Sequence, residues 1–167
     1  ETRAHCVSVD VPLSGNLDQG FATWDQFQAI KKPGQRSLYR SAAETVDAAL
    51  EWLETTNPSE RVLLWIHLYD PHRPMKPPQE QVDRVQLMIE EIGVESYDAA
   101  LEGRGVPTDG KSYVEVLEYD AEVLYADTEI RRLFSRMQAA GLGEDAMWII
   151  TGDHGQGLGA HEWFGHS

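Results

Sequence analysis

Two short, unbroken apolar runs constrain the fold of this chain more than any other feature: Val62-Leu63-Leu64-Trp65-Ile66 and Ala146-Met147-Trp148-Ile149-Ile150. Each is too short for an ordinary helix and has no polar alternation, the pattern of a strand buried on both faces, as in a parallel sheet. Between them Val82, Val85, Met88, Ile89 and Ile92 fall on one helical face. A longer helix is expected from about Ser112 to Ala140, where Val116, Tyr119, Val123, Ala126, Ile130, Leu133 and Met137 are spaced alternately three and four apart. Gly141-Leu142-Gly143 stops it. Upstream, His5-Cys6-Val7-Ser8-Val9 reads as a further strand. Ser41-Ala42-Ala43-Glu44 has the capping-box pattern and opens a helix with Val46, Ala49, Leu50 and Leu53 on one face, ended by Asn57-Pro58. Leu13 to Gln28 reads as an irregular connection and Gly93 to Gly110 as a surface insertion. Strand, helix, strand, helix, strand predicts an α/β fold, a largely parallel sheet flanked by helices.

The chain has 167 residues, enough for one domain with a buried core, and is expected to be a single partial domain over 1–167. Its 14 basic residues stand against 28 acidic ones, a net charge of −14. Such a surface repels phosphate backbones and anionic headgroups, so nucleic acid is not an expected partner. No apolar run approaches the ~18 residues of a membrane span, so no membrane insertion is expected from this segment. An anionic substrate would need a locally cationic site, built from a metal or from clustered His, Arg and Lys. The single cysteine, Cys6, excludes an internal disulfide framework. The opening Glu1-Thr2-Arg3-Ala4-His5 reads as a chain entered midway.

Five of the six histidines lie just beyond the two apolar runs: His67 and His72 after the first, His154, His161 and His166 after the second. Open α/β sheets bind ligands beyond the carboxyl ends of their strands, so parallel strands would bring both groups to one edge. Asp153-His154-Gly155 offers a carboxylate and an imidazole side by side, with Gly155 allowing a tight turn, which suits metal binding. The alternative is a capping Asp beside a solvent-facing His. His72 and Arg73 are held between Pro71 and Pro74, either as a rigid donor to an anion or as a plain Pro-rich surface loop. On its own, His166 reads as a solvated tail residue.

His67-Leu68-Tyr69-Asp70-Pro71-His72-x-Pro74, followed by Gly152-Asp153-His154-Gly155-x-x-Leu158-Gly159-x-His161, resembles the sulfatases of the alkaline phosphatase superfamily. Leu17-Asp18-Gln19-Gly20-Phe21 and the long helix, with Tyr119-Asp120 and Tyr125-Ala126-Asp127, add weaker matches, so the resemblance runs from about Pro12 to the end. It implies an incomplete sulfatase-type, alkaline-phosphatase-like domain and metal-dependent hydrolysis of sulfuric esters. Asp153 and His154 would ligate a divalent metal, calcium by family habit, with zinc or manganese equally suited to His154. His72 and His166 would be catalytic donors to the sulfate ester, and His67, Asp70 and His161 structural supports behind the site. The expected substrate is a small-molecule or glycan sulfate ester, and family analogy implies a periplasmic or extracellular setting. Sulfate-ester cleavage builds charge on the ester oxygens, which a metal and cationic donors stabilise, and an imidazolium can protonate the leaving alcohol.

The resemblance also implies a formylglycine nucleophile made from Cys or Ser in a Cys-x-Pro-Ser-Arg context. Cys6 stands in Cys6-Val7-Ser8-Val9-Asp10, without the Pro or Arg, and is read as a small buried strand residue. An adjacent aspartate pair that would complete the metal site is also not found. Both are expected in a segment outside this sequence, so the chain alone is expected to be inactive on aryl sulfates. Two other readings stay open: phosphoryl chemistry of the same superfamily (phosphodiesterase, phosphonate ester hydrolase or phosphoethanolamine transferase), and a non-catalytic anion-binding remnant.

Overall fold

Strand β3 (Arg61–Ile66) shows how this sequence divides its apolar residues. In the computed structural model, which describes residues 2–9, 16–27, 40–57, 59–108, 110–142, 145–163 and 165–166, burial alternates along β3. Val62, Leu64 and Ile66 pack against a core of Val46, Ala49, Trp52, Leu53, Leu133 and Met137. Leu63 and Trp65 point the other way and are 55% and 36% exposed. The expectation of burial on both faces is therefore corrected: an unbroken apolar run marks a strand, but only what packs on each face decides burial. Trp65 lies tilted against Phe21 and edge-on to Trp24, its ring centre 6.0 and 5.8 Å from theirs.

β3 belongs to a three-stranded sheet of order β2-β1-β3, with β1 spanning Thr2–Val9 and β2 spanning Thr23–Phe27. Both pairings are parallel, and Cys6 lies opposite Trp24 on one side and Trp65 on the other. The side chains of β1, Cys6 among them, are outside the described residues. β2 corrects the irregular connection expected at Leu13 to Gln28. Its Asp25 and Gln26 hide the strand pattern, and pairing with β1 supplies what propensity does not. The Arg40 guanidinium grips the Asp25 carboxylate through two 3.1 Å hydrogen bonds, tying β2 to the start of the next helix.

That helix, α1 (Ala42–Leu53), opens with the full capping box. Ser41 Oγ accepts the Glu44 N–H at 3.3 Å, and the Glu44 carboxylate accepts the Ser41 N–H at 2.8 Å. It ends four residues before Asn57, because the Thr55 and Thr56 hydroxyls donate to the Trp52 and Leu53 carbonyls at 2.7 Å and close the last turn. The long helix α4 spans Gly110–Ala139. It stops at Gly141 (φ 72°), where the Leu142 N–H reaches the Met137 carbonyl at 2.9 Å and the Gly141 N–H reaches Gln138 at 3.0 Å. Leu142 then packs on the Met137 core.

The chain divides into two compact units: residues 1–70 with 126–146, and residues 71–125 with 147–167. In the second unit, α2 (Gln79–Ile92) buries Val85 and Ile89 against Ala121 of α4, flanked by Val82, Leu117 and Leu124. Met88 and Ile92, expected on the same face, are exposed: the buried stripe is one residue wide at each turn. The expected surface insertion at Gly93–Gly110 is corrected too, since it holds α3 (Val94–Glu102). Leu101 and Val106 form a core there with Val116 of α4, against Tyr97 and Tyr113. The Tyr97 hydroxyl donates to the Asp120 carboxylate at 2.7 Å. Burial pushes the pKa values of both groups upward.

The expected strand at 146–150 is not formed. The run carries no ladder pairing among the described residues, and Met147 and Ile149 are 88% and 82% exposed. A strand needs a neighbour for its N–H and C=O groups, which hydrophobicity alone does not supply. Among the described residues, no helix is long and apolar enough to cross a membrane.

Candidate active site

The Pro-rich segment after Asp70 is pinned onto α4 at two points. The Lys76 N–H donates to Glu122 Oε1 at 2.6 Å, and the Arg73 guanidinium pairs with Glu115. Glu115 and Glu122 are seven residues apart, two helical turns on one face. Between these anchors the Arg73–Pro74 peptide is cis. His72 Nδ1 lies 2.6 Å from the Arg73 carbonyl oxygen. A carbonyl can only accept, so Nδ1 carries the proton, and in the neutral ring Nε2 holds the lone pair.

The second group of site residues follows Ile150. Asp153 Oδ1 accepts the His154 N–H at 2.8 Å, and His154 Nδ1 lies 3.1 Å from the Gly155 carbonyl. The same argument puts the His154 proton on Nδ1. Its Nε2 then stands 3.4 Å from Asp153 Oδ2, a lone-pair nitrogen beside a carboxylate oxygen. From Gly157 the chain closes a compact loop. The Gly157 N–H donates to the Gly165 carbonyl at 3.0 Å and the Gly159 N–H to the Trp163 carbonyl at 2.8 Å, around a short 3₁₀ turn at Ala160–Glu162. Leu158 and Ala160 anchor this loop on the Leu101, Val106 and Val116 core. Leu158 (φ 50°) and Glu162 (φ 63°) take left-handed backbone, uncommon outside glycine, held there by the loop's own hydrogen bonds.

A close backbone approach occurs at Gly157 and not at Gly155. A Cβ at Gly155 would meet nothing within 4 Å, whereas one at Gly157 would stand 2.4 Å from the Trp163 carbonyl oxygen. Within this loop Gly159 is also constrained, at φ 90°.

Closure of this loop delivers His166 to the site. Its Nε2 lies 3.3 Å from His72 Nε2, although the two residues are 94 positions apart in sequence. Their ring centres are 5.3 Å apart, and the His166 ring stacks on His154 at 4.1 Å with the planes 24° apart. His166 is thus no free tail residue. Asp153, His154, His72 and His166 form one cluster within the second unit, with His154 and His166 open to solvent. The His72–His166 contact requires one proton between two nitrogens: with both rings neutral, His166 Nε2–H donates to the His72 lone pair.

Of the remaining candidates, His67 and Asp70 lie in the first unit. The His67 ring stands 6.5 Å from that of Trp65, and Asp70 Oδ2 is buried without a hydrogen-bond partner among the described residues. His161 contributes its backbone to the 3₁₀ turn; its side chain is outside the described residues. For a cation, Asp153 and His154 present an oxygen and a nitrogen close enough to be neighbouring ligands of one ion. Among the described residues no group of three or more His, Cys, Asp and Glu side chains could hold a metal, so this is a two-ligand corner.

Sequence reasoning missed Glu115, Glu122 and the Gly157–Trp163 closure. A signal for the glutamates was present, because Glu115, Glu118 and Glu122 follow a helical i, i+3, i+7 stripe. No comparable pattern marks the closure.

No curated protein matches the chain. The sulfatase family model matches residues 9–166, nearly the whole chain, and spans both histidine-bearing segments. The match implies an alkaline-phosphatase-like α/β fold and hydrolase chemistry, and with it the chain belongs to the sulfatase family.

Proposed function

We propose that this chain supplies the anion-binding groups and part of the metal corner of a metal-dependent sulfuric ester hydrolase. One observation carries the reading: the 3.3 Å meeting of His72 and His166 beside the Asp153–His154 pair. Two segments distant in sequence converge to place three imidazoles and a carboxylate together on a chain that is otherwise strongly acidic. A divalent cation held by Asp153 and His154, calcium or alternatively zinc or manganese, would draw charge from the ester oxygens.

The chain's own groups account for the rest of what is assigned here. The Arg73 carbonyl occupies His72 Nδ1–H, so Nε2 is the nitrogen that meets His166. With both rings protonated, two cationic Nε2–H donors would stand 3.3 Å apart, and an anion's oxygens would relieve their repulsion by accepting from both. Such fixed donors favour an ester whose oxygens gain charge as it cleaves. Either imidazolium can hand a proton to the departing alcohol oxygen. The attacking group is not assigned to this chain, since its one cysteine, Cys6, lacks the formylglycine context.

Calorimetric titration with 4-nitrophenyl sulfate and 4-nitrophenyl phosphate tests the proposal. We expect saturable binding of the sulfate ester, lost in His72→Gln and in His166→Gln. Absence of binding, or binding indifferent to both substitutions, would refute it, and clear preference for the phosphate ester would move the site to phosphoryl chemistry.

A further inference from the structure

Helix α2 carries more apolar surface than its own core uses. Val85 and Ile89 turn inward onto Ala121. Met88 and Ile92 each stand three positions further on, one turn apart along the next row of the helix. Leu87, roughly 100° round the helix from Met88, widens this strip. All three side chains are more than half exposed. Scattered exposed apolar residues are ordinary, whereas a neighbouring group of them marks a contact surface. Met88 suits such a surface, because its flexible thioether adapts to differently shaped neighbours.

The border of the strip is acidic. α2 and α3 together carry seven acidic residues and one basic one, Arg84. Glu91 follows Leu87 by four positions and Met88 by three, which places a carboxylate on the same face. Asp83 stands one turn before Leu87, and Glu95 lies in the first turn of α3, just past Ile92. Arg84 is the exception, and its guanidinium donates to Gln81 Oε1 at 3.3 Å.

This border selects the occupant. A second copy of the chain would bring seven further acidic residues against these, and anionic lipid headgroups would meet the same repulsion. A partner that is both cationic and apolar matches the border in charge and the strip in surface. The strip repeats its side chains once per helical turn, so a helix laid beside it can seat its own rows between them.

We infer that the strip of Leu87, Met88 and Ile92 docks a basic amphipathic helix of a partner protein. The partner's apolar row covers the strip, and its Lys or Arg side chains meet Asp83, Glu91 and Glu95. None of these residues belongs to the histidine cluster, so the surface stands or falls apart from the anion site.

The test is calorimetric titration with a synthetic helix of about four turns, built from leucine and lysine with leucine repeating at i, i+3, i+4 and i+7. A second peptide of the same composition has that periodicity scrambled. The amphipathic peptide should bind saturably and shift the methyl resonances of Leu87, Met88 and Ile92. The double variant Met88→Gln, Ile92→Gln should keep the parent's circular dichroism, because both side chains are exposed, and should bind at least about tenfold more weakly. The scrambled peptide should be weaker by a similar factor. No binding, or equal binding by the variant or by the scrambled peptide, would overturn the inference, since attraction to the net charge of −14 would then account for any affinity. Dimerisation of the chain alone, in sedimentation, that is lost in the double variant would assign the strip to a second copy. Binding to phosphatidylglycerol vesicles lost in that variant would assign it to a lipid surface, and either result would also overturn the inference.

Discussion

Replacing Gly157 by alanine should detach His166 from the cluster while leaving the helices intact. The new Cβ would lie 2.4 Å from the Trp163 carbonyl oxygen, 2.5 Å from its Cδ1 and 2.9 Å from its carbonyl carbon. Two of these atoms are backbone, so no rotamer change relieves the clash and the loop itself must open. Overpacking of this kind costs about 1–3 kcal/mol. Opening also endangers the Gly157–Gly165 and Gly159–Trp163 hydrogen bonds, each worth about 0.5–1.5 kcal/mol net. Loop closure thus loses roughly 2–6 kcal/mol, which shifts the closed-to-open ratio by roughly 30- to 25,000-fold. The expected result is at least about a tenfold loss of sulfate-ester affinity by calorimetry, with the circular dichroism of α2, α3 and α4 unchanged. Gly155→Ala is the matched control, because its Cβ would meet nothing within 4 Å, and it should bind like the parent. Equal damage from both substitutions, or none from Gly157→Ala, would refute the claim that loop closure positions His166.

Ser41→Ala should destabilise the first unit by about 1 kcal/mol in urea denaturation, because it removes the side-chain acceptor of the α1 capping box. Asp120 should make stability fall as pH rises. Burial raises its folded pKa, so its contribution is complete below the unfolded carboxylate pKa and is lost as pH climbs through the folded one. Asp120→Asn should remove that slope, as denaturation midpoints compared between pH 4 and 7 will show. Calcium should bind the chain weakly, since Asp153 and His154 offer two donors where calcium takes about six to eight oxygens. Zinc should bind more tightly through imidazole. Calorimetry with both ions checks this, and tight stoichiometric calcium binding lost in Asp153→Ala would contradict it.

What could be read from the sequence was local. The α1 cap, the stop of α4 at Gly141 and the position of β3 each depend on a few adjacent residues, and each lies close to where its pattern puts it. What could not be read depended on partners. Val62–Ile66 and Ala146–Ile150 look alike as strings, yet one is a ladder-paired strand with one covered face and the other is exposed and has no ladder pairing among the described residues. β2 is concealed because Asp25 interrupts its apolar character, although Arg40 neutralises that carboxylate in the fold. α3 is concealed by the glycines and charges around it, and only the packing of Leu101 on Val116 discloses it. Within the site, Asp153-His154 and Pro71-His72 stand out as motifs because their chemistry is carried by adjacent residues. His166 as a group that touches His72 is different, since nothing near it in sequence marks it. Its position follows from a loop closed by Gly157, and the crowding there arises only when Trp163 arrives.

The most direct measurement is nitrogen NMR of the histidine side chains during titration with inorganic sulfate. The ring nitrogens of His72 and His166 should shift together, along one binding curve. His166→Gln should weaken the His72 response to that anion. A His166 ring that behaves as a free tail imidazole, unmoved while His72 shifts or with both rings indifferent to sulfate, would contradict the convergence on which the functional reading stands.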